Sequence, residues 1–210
     1  MRAGQPGLNT CRTIIEPQLA WEKSLKRALI TTALISLSTL TSAGGFQLIS
    51  PDIQPGRPIN KRFEFNGFGC SGDNQSPALQ WRGAPAGTES YAVTVYDPDA
   101  PTGSGWWHWV VINLPANVNS LPADAGAVEG AKLPKGASQV RTDYGVTAWG
   151  GMCPPLGDKP HRYIFTVHAL KTGRLDIPAD ATAAMAGYMI NAHALAKASF
   201  TATYGRPKAK

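Results

Sequence analysis

The chain is poor in charge. Asp, Glu, Lys and Arg make up 16% of its 210 residues, while 43% are apolar. That balance excludes a chain kept unfolded by self-repulsion and leaves enough apolar surface for a packed core. Of the formal net charge of +6, only half, +3, belongs to residues 44–210. No Lys/Arg run and no basic helix with interleaved aromatics occurs there, so nucleic acid is not an expected partner. His and Cys are scarce, at four and three. No HxxxH, HxH or DxH pair is present, so no local pair of metal ligands exists and neither a metal nor another cofactor is expected. There is no G-x-S-x-G elbow, and no Ser or Cys has an evident general base, so enzymatic activity is not expected. Internal repeats are also missing.

The length suits one ordinary domain with a short appendage, divided here as residues 1–43 and 44–210. In the first part, Lys23, Lys26 and Arg27 precede the apolar run Ala28 to Leu40, and Thr41-Ser42-Ala43 follows. A positive flank, an apolar stretch too short to span a bilayer comfortably, and small residues before a cut site describe a secretory signal. The expected location is periplasmic or secreted, or cytoplasmic if this leader is not a signal. Membrane contact is expected only through an uncleaved leader or through lipid head groups. Cys11 would be lost on cleavage, leaving Cys70 in FGCSGDN and Cys153 in GGMCPP. In an oxidising compartment these two are expected to form a disulfide, the alternative being two free buried thiols.

Turn formers, by contrast, are plentiful, with 22 Gly and 17 Pro. They separate short runs that read as strands: FQLIS, KRFEFNGF, LQW, Ser90 to Tyr96, Trp106 to Ile112, His161 to Leu170 and a final SFTATY. Between them lies a long polar excursion from Asn113 to Gly145, in which Ser138 to Arg141 could supply a short element. One helix is expected from ATAAMAGYMINAHALAKA, with Asp180 as a cap and Met185, Tyr188, Met189, Ala192 and Leu195 as a core stripe. The fold class is therefore mainly β, a sandwich with one late helix.

Chemistry concentrates between Tyr96 and Asn113, YDPDAPTGSGWWHWVVIN. Pro98 and Pro101 forbid a regular helix and make a rigid corner that carries Asp97 and Asp99. Strand alternation then places Trp106, His108, Val110 and Ile112 on one face and Trp107, Trp109 and Val111 on the other. A second strand opens after a Gly/Pro-rich loop with His161 and Tyr163 on its apolar face. Asp97, Asp99, His108, His161 and Tyr163, with backbone from the Gly150–Pro155 loop, are the candidate site. Three readings follow. The groups could form a small anion pocket, with Asp97 accepting a ring N–H of His108. They could bind a divalent metal, or they could hydrolyse a substrate; both have less support in the motifs.

DPDAP, GxxWWHWVVIN, GGMCPP and GDKPHRYIF, in this order, resemble the phosphatidylethanolamine-binding protein (PEBP) family, as does FGCSGDNQSPALQW. The similarity is to its bacterial Raf-kinase-inhibitor-like branch, the YbhB/YbcL type, and spans Phe46 to Tyr204. The resemblance implies a β-sandwich of two antiparallel sheets with a carboxy-terminal helix and short peripheral helices. It also implies a cavity for an anionic head group such as phosphate or phosphoethanolamine. Position by position it puts Asp97, Asp99, His108, His161 and Tyr163 at that cavity and makes Pro154 and Pro155 its wall. A carboxylate in the pocket requires protonated histidines or other donors for an anion to bind, so affinity is expected to weaken as pH rises past 6 to 7. A role as inhibitor or regulator of a protein partner of unknown identity, or an interaction role with a vestigial pocket, is also compatible with the resemblance.

Overall fold

The computed structural model describes residues 45–208; the expected leader lies outside them. The long strands are those whose residues are β-branched and aromatic: β5 (Ser90–Asp97), β6 (Trp106–Pro115), β9 (His161–Leu170) and β10 (Ala194–Tyr204). With the short β8 (Ser138–Gln139) they form an antiparallel sheet in the order β10-β9-β5-β6-β8. A smaller sheet, β1-β4-β7, uses Gln47–Ile49, Leu79–Arg82 and Ser120–Leu121, and β2 (Asn66–Gly67) pairs with β3 (Cys70–Ser71).

The main core fills the space between the two larger sheets. Leu48, Leu79, Trp81 and Leu121 from the small sheet meet Val93, Val95, Trp109, Val111, Phe165 and Val167 from the large one. Phe165 stacks on Phe200 with centroids 4.8 Å apart, and Trp109 meets Trp149 edge-on at 5.8 Å. The large sheet is covered on its other face too. There α1 (Ala183–His193) sets Ala183, Ala186 and Ile190 against Ala92, Val110, Ile112 and Leu170. This double burial explains why β5 has almost no polar alternation.

Two segments depart from the sequence reading. KRFEFNGF is not one strand: Lys61–Phe63 is a single 3₁₀ turn capped by Asn60, Glu64 makes an isolated bridge to Met152, and ladder pairing begins at Asn66. Glu64 is buried directly after buried Phe63, a pattern that a strand with one solvent-facing side does not give. Its carboxylate accepts the Ser71 N–H at 2.8 Å and the Tyr204 hydroxyl. The helix also stops sooner than expected, capped by Thr182 rather than Asp180. Residues 194–198 join β10, whose register runs from Ala194 opposite Leu170 to Tyr204 opposite His161. A long ladder of backbone hydrogen bonds overrides local helix propensity there. Nor does the expected stripe form the core contact. Met185 and Tyr188 are 45% and 74% exposed, and small residues face the sheet instead, with Gly187 close over the Trp107 ring.

His168 is a buried consequence of β9 lying in mid-sheet. Its Nε2 pairs with Thr94 Oγ1 at 3.2 Å, and its Nδ1 has no partner among the described residues. Burial, followed by the charge of Lys197, pushes its pKa down to about 4. The unfolded chain binds this proton below about 6.5, whereas the folded one does not until about 4. Stability is therefore fully present above pH 6.5 and declines as pH falls through that window, by ~3 kcal/mol in all. Thermal melts between about pH 7 and 4 should show this decline, and His168→Gln should make it shallower. Equal slopes for both proteins would remove His168 as the cause.

Candidate functional site

The site begins with an irregularity in β6. Val95 pairs with Trp109 and Tyr96 with Trp107, which leaves His108 as the extra residue of a β-bulge. Strict alternation places His108 with Val110 and Ile112. The bulge corrects this: His108 and Trp109 point to the same side, Trp109 into the main core and His108 against Tyr163. Trp107 turns to the helix-covered face. No residue pattern in WWHWVV distinguishes this from a regular strand.

Asp97 ends β5, and its two oxygens are both engaged. Oδ1 accepts the Asp99 N–H at 2.8 Å, which closes the Asp-Pro-Asp corner. Oδ2 accepts the Nδ1–H of His161 at 2.8 Å. The expected partner of Asp97 was His108, but His108 Nδ1 donates to the Gly150 carbonyl at 2.7 Å. The two histidines are thus oriented by different acceptors, one a carboxylate and the other a backbone carbonyl. Asp158, three residues before His161, lies 3.6 Å from the ring's other nitrogen.

Six of the seven expected residues line one cavity of about 180 Å³: Asp97, His108, Pro154, Pro155, His161 and Tyr163. Asp99 does not. Its carboxylate is gripped by Arg162 through Nη2 at 2.6 Å and Nε at 2.9 Å, and also accepts the Arg162 N–H. The Arg162 guanidinium holds the Asp99 carboxyl down at about 2. Asp99 therefore ties the Asp-Pro-Asp corner to the start of β9.

The far wall is built by the long excursion and the Cys-containing loops. Tyr144 reaches in from the excursion, donates its hydroxyl to Gly151 O at 2.7 Å and packs on Phe65 at 4.2 Å between centroids. Phe68, exposed and at φ 53°, lies over the Tyr144 ring at the rim. A Cys70–Cys153 disulfide joins the Phe68 loop to the Pro154-Pro155 loop. Arg206 clamps the same two loops through Gly69 O at 2.6 Å and Pro154 O at 3.2 Å. Trp106, Tyr144, Phe68 and Thr102 belong to the cavity but not to the expected set. The face shared by Trp106 and His108 could have flagged the first. Tyr144 lies in a segment with no periodic signal at all.

Burial sets the protonation of the walls. It is the main cause raising the Tyr163 and Tyr144 hydroxyls above the ordinary tyrosine range, with the Asp97 charge adding to it. Both stay protonated donors. Burial also lowers His108, outweighing the Gly150 carbonyl and the Asp97 charge, which act the other way. Three buried polar atoms at the cavity have no partner among the described residues: Trp106 Nε1, His108 Nε2 and Tyr163 OH. Among the described residues no group of three His, Cys, Asp or Glu is placed to hold a metal ion, and no helix is long and apolar enough to cross a membrane.

Residues 49–205 match the family model described as phosphatidylethanolamine-binding protein. The chain is similar to UPF0098 protein YbcL of Escherichia coli K12, 50% identical over 86% of this chain and 98% of that protein. It is also similar to UPF0098 protein YbhB of the same organism, 52% identical over 75% of this chain and 99% of the other. The crystal structure of E. coli YbcL, titled a new member of the mammalian PEBP family, superposes with a TM-score of 0.75 and 54% identity. It covers 76% of this chain and 98% of that one. The chain therefore belongs to the phosphatidylethanolamine-binding protein family.

Proposed function

We propose that the domain is a binding protein for a small phosphoryl anion, such as phosphate or the phosphoethanolamine head group, rather than a catalyst. The observation that carries this reading is the set of buried atoms without a partner among the described residues, Trp106 Nε1, His108 Nε2 and Tyr163 OH, at a single cavity. Buried polar groups are normally hydrogen-bonded, and leaving one unpaired costs about 1–3 kcal/mol, so three at one cavity call for a polar ligand. About 180 Å³ suits a head group but not a whole lipid. The one thiol near the pocket, Cys153, is tied up in the disulfide and offers no nucleophile.

Calorimetric titration of the purified protein with phosphoethanolamine and with inorganic phosphate tests this. Saturable binding is expected, with His108→Ala and Tyr163→Phe each weakening it by at least about tenfold, the worth of one lost hydrogen bond. Tyr163→Phe should leave the circular dichroism spectrum unchanged, because its hydroxyl has no partner among the described residues. His108→Ala also removes the Nδ1–H bond to Gly150 O and is read only if its spectrum stays native. Full binding by both variants would place the ligand elsewhere. We further propose export to an oxidising compartment, supported by the signal-like leader and the disulfide. Amino-terminal sequencing of material from a periplasmic extract should begin just after Ala43; a mature chain confined to the cytoplasm would count against it.

A further inference from the structure

We infer that the pocket takes its oxyanion in protonated form: a ligand P–O–H donates to His108 Nε2, so the site selects phosphoryl monoanions over sulfuryl groups of the same shape and charge. This rests on the anion-pocket reading above and names which anion that pocket can hold.

Two independent observations carry it. The first is the tautomer. A carbonyl oxygen can only accept, so His108 Nδ1, 2.7 Å from Gly150 O, must bear the hydrogen. The backbone returns the bond, with Gly150 N–H donating to His108 O at 2.9 Å, so the loop is locked to the strand at this point. The ring is held edge-on between Tyr163, at 5.1 Å, and Tyr144, at 5.6 Å. In the neutral ring the buried, unpartnered Nε2 is then an acceptor, not a donor.

The second observation is charge. Among the described residues no Lys or Arg lines the cavity. Arg162 is occupied by Asp99, and Arg206 by loop carbonyls. Asp97 stands in the wall as a carboxylate, and the His161 ring bonded to it at best cancels that charge. The pair therefore contributes a net charge of zero or below whichever state His161 adopts. A dianion would enter with no cation to meet it. A monoanion carrying a hydroxyl fits the groups on offer: Tyr163 O–H and Trp106 N–H donate to its oxygens, and its own hydrogen goes to His108.

The charged and titratable groups around His108 are Asp97, Asp143, Tyr144 and Tyr163. Asp143, which accepts the Trp107 N–H at 2.7 Å, and Asp97 both favour a proton at His108. Burial opposes them and is the larger effect, which favours the neutral ring and leaves Nε2 to accept a hydrogen that the ligand carries.

Methyl phosphate and methyl sulfate separate the possibilities, because at about pH 5 both are monoanions of nearly one shape and only the phosphate carries a hydroxyl. Calorimetry on the full chain should show methyl phosphate binding at least tenfold more tightly, since a site built to pair a ligand hydroxyl rejects the analogue lacking it. The complex holds a proton that the free ligand loses above about pH 6, so methyl phosphate affinity should fall about tenfold per pH unit beyond that point. Equal or tighter binding of methyl sulfate, or a methyl phosphate affinity that is flat with pH, would overturn the proton-acceptor role while leaving the anion pocket standing. No binding of either ester, nor of inorganic phosphate, would overturn the pocket reading itself.

Discussion

Removing the Cys70–Cys153 bond, by reduction or by the paired change Cys70→Ser and Cys153→Ser, is expected to cost about 4.5 kcal/mol of stability. The bond closes a sequence separation of 83 residues, and the loop-entropy relation gives that magnitude for such a loop. For a domain of this size the melting temperature should drop by roughly 10–15 °C. The bond also fixes the position of Pro154 relative to Phe68, so the loss should extend to ligand affinity. Melts with and without reductant, checked by intact mass for the loss of two hydrogens, measure both parts. A melting temperature indifferent to reductant would mean that Arg206 and the β2–β3 ribbon already hold the loops. Two free thiols in periplasmic material would show the bond is not used.

Gly151→Ala is expected to be nearly as damaging, by about 3 kcal/mol or more, for a reason of space rather than backbone freedom. A Cβ at Gly151 would run into the Phe63 carbonyl oxygen and come within 2.5 Å of the Phe65 nitrogen, both of them backbone. Neither neighbour can yield easily. Phe65 N–H donates to Met152 O at 3.1 Å, Gly151 N–H donates to Asn74 Oδ1 at 2.8 Å, and Tyr144 donates to Gly151 O. Relief would have to break that set and would displace the Cys153–Pro155 wall with it. Gly45→Ala, where an added Cβ meets nothing within 4 Å among the described residues, is the control and should be close to neutral in denaturant unfolding. Similar midpoints for the two variants would show that the loop can shift after all.

The fold was largely readable because its long strands are buried on regular faces. In β9, His161, Tyr163, Phe165 and Val167 do share the core side, as period two requires, while Ile164, Thr166 and His168 take the other. The candidate site was readable where turn chemistry and alternation mark it: Asp97 at its proline corner, His161 and Tyr163 at the start of a strand. What escaped was set by long-range contacts. The bulge that turns His108 depends on how β5 and β6 pair, which no single strand encodes. The pairing of Asp97 with His161, and the diversion of Asp99 to Arg162, are choices among several carboxylate–cation combinations that only the packed corner decides. Met185 and Tyr188 misled because a large apolar residue signals burial more loudly than alanine, yet the close helix–sheet approach required alanine and glycine.

The clamp formed by Arg206 bears on the order in which the protein can be completed. The chain is made from its amino end, so Asp97, His108, Tyr144 and His161 all precede residues 194–206, which are among the last to become free to fold. Until then β9 has a bare edge, and the Phe68 and Pro154 loops lack their arginine. A nascent domain would thus carry an unsealed pocket beside two cysteines awaiting each other. An oxidant in the destination compartment would reach that pair most freely before the last strand docks, and docking of β10 with Arg206 then fixes both loops around the pocket.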